Sequence, residues 1–445
     1  MWGSNILHAQ QSLQDTLSHL TWNDVSEITM RHHRDILIGE QEVLNAQKER
    51  GIKTAELFPI IKGTGNIRHN IKIQQTPMPA KLIDPNAPWD EMTTVKMGSK
   101  WGSAVGLQAD WTLFDPEVQG ERQSAVYSIK EKMLDKAITI NQKKQNALKA
   151  FAAFVVSNEQ LTSTVADTIS AYENYRYNKE LFSKEKILKE ELNKSYAALI
   201  DSKIRYDEAW KIERSAKAEL LSSMGLRPTN QFIEALATDE TLFSMITDRL
   251  NNYTGDKWQT YTKNKSLTIQ KLDIEIDKAK HNIKIDKLSF LPKLSLNAYY
   301  GANFYSKDID LGHRDKWYGN SFIALNVTLP LTGIYTNASK LSQSKTQEII
   351  ALLQYEKESN LRLNEIQKAV MEIQYRQKTY DSKKEAVTLY NENFNTAKLR
   401  YSKGYLLEKD LKNEEFKYKQ SLADQMQAAY NLIVSLIDYQ AAIQN

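Results

Sequence analysis

From residue 335 onward apolar positions recur every seven residues. Stepping from Leu352 gives Ser359, Ile366, Ile373, Tyr380, Val387, Phe394 and Tyr401, with Leu363, Val370 and Ala397 at interleaved positions. A seven-residue repeat held this long is a coiled-coil seam. The run from Tyr335 to about Ser402 predicts a helix of ~100 Å at 1.5 Å per residue, far longer than a globular helix. A second stripe follows Gly404, through Leu411, Tyr418, Leu422, Ala429, Leu432, Leu436, Tyr439 and Ile443. Two long helical runs separated by a short Gly-containing break predict an antiparallel helical hairpin.

The first half repeats the pattern. Phe151, Phe154, Leu161, Val165, Tyr172 and Tyr175 form a similar stripe on a run beginning near Asp115. Shifting by 224 residues lays RYNKELFSKEKILKEEL (176–192) on RYSKGYLLEKDLKNEEF (400–416), and Tyr206 on Tyr430. An internal duplication accounts for both the matches and the shared element order. This alignment puts Glu180 opposite Gly404. The first arm pair ends at Met224-Gly225-Leu226-Arg227-Pro228, a Gly-then-Pro helix stop.

Between the helical runs the period changes to two. Leu294, Leu296, Ala298, Tyr300, Ala302 and Phe304 alternate with more polar neighbours, as do Ile323, Leu325, Val327 and Leu329. Val105, Leu107, Ala109, Trp111 and Leu113 do the same in the first half, and Ile61, Gly63, Gly65 and Ile67 more weakly. These predict four strands of roughly nine to eleven residues, the length that crosses a bilayer in a tilted barrel. Each strand pair brackets a polar loop, 70–100 and 306–318. Trp101, Trp317 and Tyr318 stand where the loops re-enter strands, and Trp111 and Phe114 lie towards the other end, as interfacial girdle aromatics would. Strand by strand, a small sheet with one buried face would fit equally well. The order favours the barrel: each half reads helix, strand, strand, long helix, long helix. Four strands leave two open edges, which lipid does not tolerate, so several chains must pool their strands.

Composition narrows the picture. Among 445 residues there are 16 Gly, 9 Pro and no Cys, so turns are few and elements long, and neither a disulfide, a thiolate metal site nor a catalytic Cys is available. The seven His show no metal-ligand spacing, and His32-His33, adjacent on a helix, are poorly placed to share one ion. Lys plus Arg number 59 against 55 acids, without the clustered basic face that nucleic acid requires. No apolar run reaches the ~18 residues of a transmembrane helix. No cofactor and no enzyme activity are expected.

The junctions carry a resemblance. TAELFPIIKGTG (54–65), DKLSFLPKLSLNAYYG (286–301), DWTLFD (110–115), VTLPLTG (327–333), the segment RYSKGYLLEKDL (400–411) and the closing YNLIVSLIDYQAAI (430–443) together resemble the TolC-like outer membrane efflux protein family, over roughly residues 21–445. The resemblance implies a mainly α protein with a small β part. Long antiparallel coiled-coil hairpins and four transmembrane β-strands per chain would trimerise into a 12-stranded β-barrel and an α-helical tunnel. The segments would then be an amino-terminal tail (1–20, a signal remnant), a first periplasmic helix (21–58), strands one and two with an outer loop (59–115), and the first long hairpin (116–225). An equatorial linker (226–263), a second periplasmic helix (264–291), strands three and four (292–332) and the second hairpin (333–445) complete the chain. The implied role is a passive exit duct, a homotrimer in outer-membrane lipid with a long periplasmic extension. It would receive cargo from an inner-membrane efflux or secretion pump through a periplasmic adaptor (membrane fusion protein). A soluble coiled-coil scaffold or adaptor with a small sheet is the alternative; it explains the helices but not the recurring strand pairs.

The resemblance also distributes roles. Asp410, six residues after Gly404, matches the first of two family acids near the tunnel constriction; the second position holds Asn413, with Glu414 beside it as a substitute. In a trimer Asp410 would become a ring of carboxylates that attracts cations; otherwise it is a solvated helix-surface acid. Gly404 is the expected turn, and Arg400, Tyr401, Tyr405 and Leu406 around it are adaptor-docking candidates, with Arg176, Tyr177 and Leu181 in the first repeat. Tyr401 also continues the coiled-coil stripe, so core and docking roles are both open to it.

Overall fold

The computed structural model describes residues 17–242, 244–246, 266–329, 331 and 333–444. The tail before residue 17, positions 247–263 of the linker and positions 330 and 332 of the last strand-to-helix junction therefore lie outside the described residues. In chain order the elements are α1 (Trp22–His32), α2 (Arg34–Ala55), β1 (Ile60–His69), β2 (Gln75–Pro79), β3 (Met92–Lys96), β4 (Trp101–Phe114), α3 (Pro116–Ser183), α4 (Lys189–Ser223) and α5 (Asn230–Ala235). There follow α6 (Leu267–Leu288), β5 (Lys293–Ser306), β6 (Trp317–Thr328), α7 (Ile334–Ser402) and α8 (Glu408–Gln444). The mainly α class with four long strands and two long helical hairpins is as the periodicities require. No helix among the described residues is long and apolar enough to cross a membrane.

The chain divides into two units. One comprises the described residues of 1–44, 130–274 and 352–445 and is helical. Its core gathers stripe residues and their neighbours: Phe151, Phe154, Ile373, Leu432 and Leu436, together with Leu220, Leu221, Met224 and Ile433, are almost wholly excluded from solvent. Further along the seam only some heptad positions are covered by the chain itself. Ile366, Val370, Tyr380 and Ala397 are buried, while Leu352 and Tyr401 remain exposed. Ion pairs lace the hairpins: Lys419 meets Asp167 across α8 and α3 at 2.7 Å, and Lys383 meets Asp424 across α7 and α8 at 2.8 Å. Burial disfavours the Lys419 ammonium, but its hydrogen bonds to Asp167 and Glu415 outweigh that and raise its pKa.

The other unit, 45–129 and 275–351, contains both sheets. The larger runs β1-β4-β5-β6, antiparallel throughout, with β1 and β6 as its edges. Alternation in sequence becomes two chemically distinct faces. Ile61, Ala109, Ala298 and Ile323 stand in one row across the four strands, with Gly63, Leu107, Tyr300 and Ser321 in the next row on that face. Lys62, Gln108, Tyr299 and Phe322 occupy the opposite face between them. The loop 70–100 is not only loop: β2 and β3 form a separate antiparallel hairpin, pairing Gln75 with Lys96 and Pro79 with Met92.

The two halves are duplicates, but with two offsets rather than one. The helices α2 and α6, 22 residues each, begin at Arg34 and Leu267, which are 233 positions apart. The long helices end at Ser183 and Ser402, and their successors start at Lys189 and Glu408; both pairs are 219 apart. The first half is longer by a net 14 residues over this stretch, chiefly because its loop 70–100, where β2 and β3 are inserted, is longer than 307–316. The register of 224 is thus corrected to 219 along the hairpins.

Candidate functional site: sheet faces and hairpin tips

The apolar face of the large sheet ends in aromatics. At the outer-loop end Trp101 packs 4.3 Å from His69, and Trp317 lies 5.4 Å from Phe304 between ring centroids, with its indole N–H donating to Leu311 O at 3.0 Å. At the other end Trp111 donates from Nε1 to Leu57 O at 2.9 Å. An irregularity between Thr112 and Phe114 brings Phe114 opposite Leu294, onto this same face. Tyr318 differs. Next to Trp317 on a strand it must point the other way, and it packs 6.1 Å from Tyr305 on the polar face. The sequence grouping of Tyr318 with the interface aromatics is corrected accordingly.

The two hairpin tips have one geometry. After α7, Gly404 adopts φ +77°, and the Tyr405 N–H donates to Arg400 O at 2.9 Å. After α3, Glu185 adopts φ +59°, and the Lys186 N–H donates to Leu181 O at 2.9 Å. This left-handed helix stop suits Gly and is unusual for Glu. Glu185, not Glu180, is therefore the counterpart of Gly404; Glu180 is still helical and paired with Lys184. On the 219 register Leu188 stands for Leu407, and both are more than 70% exposed, at 73% and 72%. Around Gly404, Arg400 is exposed, Tyr405 protrudes at 79% exposure and Leu406 is half-buried. Tyr401 is 43% exposed, so the single chain does not bury it as a core position. In the first tip Leu181 closes the turn. Arg176 and Tyr177 sit back in the body of α3, Arg176 tied to Glu173 at 2.5 Å.

The two candidate gate acids separate. Glu414 is neutralised by Lys417 at 2.8 Å, a hydrogen bond that raises the Lys417 pKa. Asp410, in the first turn of α8, is exposed and makes no ion pair among the described residues. Its counterpart on the 219 register is Glu191, in the first turn of α4 and also exposed. The shift of 224 hides this acid by placing Lys186 there. Acids in a first turn are favoured by the helix dipole. Nearby, Lys194 is held above its usual pKa first by its bond to Glu190, with Glu191 and Glu408 contributing. Among the described residues no three His, Asp or Glu side chains gather as metal ligands; the His33 Nδ1 accepts the Asp35 N–H at 3.2 Å instead.

This combination, a two-faced antiparallel sheet with open edges and paired long helical hairpins, is a TolC-like protomer fold. The comparisons agree. Residues 262–443 match the family described as outer membrane efflux protein, a family of transport proteins rather than enzymes. The chain has the fold of the Campylobacter jejuni CmeC outer membrane channel, with a TM-score of 0.70 and 16% identity over 95% of this chain and 85% of that one. Similar too are the Neisseria gonorrhoeae MtrE outer membrane channel in its open state (TM-score 0.69, 15% identity, 95% and 89% of the chains) and the Vibrio cholerae outer membrane protein VceC (0.66, 12%, 95% and 96%). No curated protein matches the chain in sequence. The chain is TolC-like in fold over nearly its whole length, and its second half carries the outer membrane efflux protein sequence pattern.

Proposed function

We propose that this chain is the outer-membrane exit duct of a tripartite efflux or type I secretion system, acting as a homotrimer that passively conducts cargo. The observation that carries the reading is the sheet: one apolar face, one polar face and two unpaired edges. In lipid such a sheet is tolerated only when closed. Three copies would make a 12-stranded barrel with the polar face inward. On this reading Trp101, Trp111, Phe114 and Trp317 face the membrane interfaces, and the segments 21–58 and 264–291 lie in the periplasm.

The hairpin tips are the surface for a periplasmic adaptor that links the duct to an inner-membrane pump. Arg400, Tyr401, Gly404, Tyr405 and Leu406 present the second tip, joined by Leu407. Leu181 and Leu188 mark the first, while Arg176 and Tyr177 lie beside it. Asp410 supplies a ring of three carboxylates, with Glu191 as a second acid of the same type; Glu414, being paired, contributes less charge.

Electron microscopy of the detergent-extracted protein tests the assembly. A three-fold hollow particle with a membrane collar is expected, and a thin rod without a lumen returns the scaffold reading to first place. In bilayer recordings, Asp410→Ala should reduce cation preference relative to the wild-type trimer; selectivity that stays put removes Asp410 from the gate.

A further inference from the structure

On the polar face of the sheet, five side chains from all four strands form one connected group. Lys62 of β1 donates from Nζ to Asp110 Oδ2 at 2.6 Å. The other oxygen of that carboxylate accepts from Gln108 Nε2 at 2.8 Å and from Asn297 Nδ2 at 2.7 Å. Asn326 of β6 in turn donates from Nδ2 to Asn297 Oδ1. The partners are not equally hidden: the Asp110 side chain is 29% exposed and the Lys62 side chain 49%. The carboxylate has donors on both oxygens, whereas the ammonium keeps the rest of its hydrogen-bonding capacity for water. Behind this group, on the opposite face, the intervening rows are uncharged: Ile61, Ala109, Ala298 and Ile323, then Trp111, Leu296 and Leu325. The charges thus belong to one side of the sheet.

We infer that Lys62 and Asp110 form a charge-compensated belt in the bore of the barrel, a determinant of ionic preference separate from the acids at the hairpin tips. The inference rests on the duct reading, which places the polar face inside and repeats the pair three times. Two other cations share that face. Arg68 lies towards the outer loops and makes no ion pair among the described residues; Lys293, at the other end, is held by Asp115 and Glu117, both at 2.9 Å. Neither touches Asp110, so the balance at this level depends on Lys62 and Asp110 alone. Removing the carboxylate leaves three uncompensated ammonium groups facing the bore, and removing the lysine leaves three carboxylates. Like charges ringing a water-filled lumen bias permeation, and salt screens the bias.

The test is the reversal potential of wild-type and variant trimers in a planar bilayer under a salt gradient. Lys62→Gln should shift the permeability ratio towards cations by about twofold or more at about 0.1 M salt, and Asp110→Asn towards anions by a similar factor. The double variant should return close to the parent. Because the chain has no cysteine, Lys62→Cys provides a unique thiol that can be modified after assembly, independently of any folding defect. A cationic methanethiosulfonate should restore the parent selectivity, and an anionic one should move it further towards cations. Single variants that conduct with the parent reversal potential, or a thiol at 62 that does not react from the aqueous bore, overturn the belt while leaving the duct intact. A wild-type protein that forms no channel overturns the duct reading and the belt with it.

Discussion

At Gly225 the backbone carries φ +82°, and a Cβ added there would lie 2.5 Å from the Cα of His33. The stop after α4 and the break between α1 and α2 thus share one crowded place, where only a residue without a side chain fits. Gly225→Ala should destabilise this unit by about 2 kcal/mol or more, from left-handed strain plus backbone contact, read as a lowered unfolding midpoint. Gly404 has the same conformation in open space, so Gly404→Ala should cost only about 1 kcal/mol. His33 itself is held below its ordinary pKa of 6.5, first by burial and then by Lys143, with Asp35 opposing. The unfolded chain therefore takes up this proton first. Its contribution to stability is full above pH 6.5 and falls as pH drops from there towards the folded-state value. Asp35, hydrogen-bonded to Lys143 at 2.5 Å, is held below 3.8. Its contribution is present above that value and lost as pH falls through the folded-state pKa. His33→Gln should flatten the stability profile just below pH 6.5 and leave the acid limb; a profile identical to the parent refutes the assignment.

Elements are where the sequence was most readable, and where it misled in specific ways. The helix α3 approaches α6 so closely that a Cβ on Gly120 would sit 2.1 Å from Ile285 Cδ1. Gly120→Val should therefore destabilise the sheet-bearing unit by roughly 1–3 kcal/mol. Adding Ile285→Ala should recover part of that loss, a non-additivity that a double-mutant cycle measures; simple additivity would mean the helices have shifted apart. The long helices and the four long strands were legible because their periods, seven and two, persist over many residues. The β2–β3 hairpin was not, because Pro77 and Pro79 lie within β2 and proline argues against a strand. In a two-stranded hairpin every strand is an edge, and a missing N–H can face water. The first tip was misplaced for another reason. Matching Arg-Tyr at 176 with Arg-Tyr at 400 slides the halves by five positions, whereas the backbone equates Glu185 with Gly404. A left-handed turn built on glutamate carries no glycine to mark it in the sequence. Tyr318 is next to Trp317 in sequence but on the other face, because successive strand residues point to opposite sides of the sheet. The Lys62–Asp110 group was out of reach of a linear reading, since its members lie far apart and meet only through strand register.

At the scale of the whole molecule, the parity of the sheet has a consequence for assembly. Its four strands alternate in direction, so the two edges, β1 and β6, run oppositely. Copies can then be joined edge to edge with every pair antiparallel, and no strand has to be reversed to close a ring. An isologous pairing of β1 with β1 would also be antiparallel, but it would leave both β6 edges open to lipid. Head-to-tail pairing of β6 with the next copy's β1 removes every edge while all copies keep the same direction, whereas any isologous pairing turns the partner end over end. The absence of native cysteine makes this measurable. With Thr64→Cys on β1 and a second cysteine stepped through Tyr318, Asn320 and Phe322 on β6, one of the three pairs should fall in register across the boundary. Oxidation should then yield a ladder that ends at three linked chains, while Thr64→Cys alone yields no linked product. Linked dimers from Thr64→Cys alone would indicate β1 against β1, with copies running in opposite directions, and would overturn head-to-tail pairing. A ladder running past three would indicate a larger ring, and no linked species from any pair would mean that the edges do not meet.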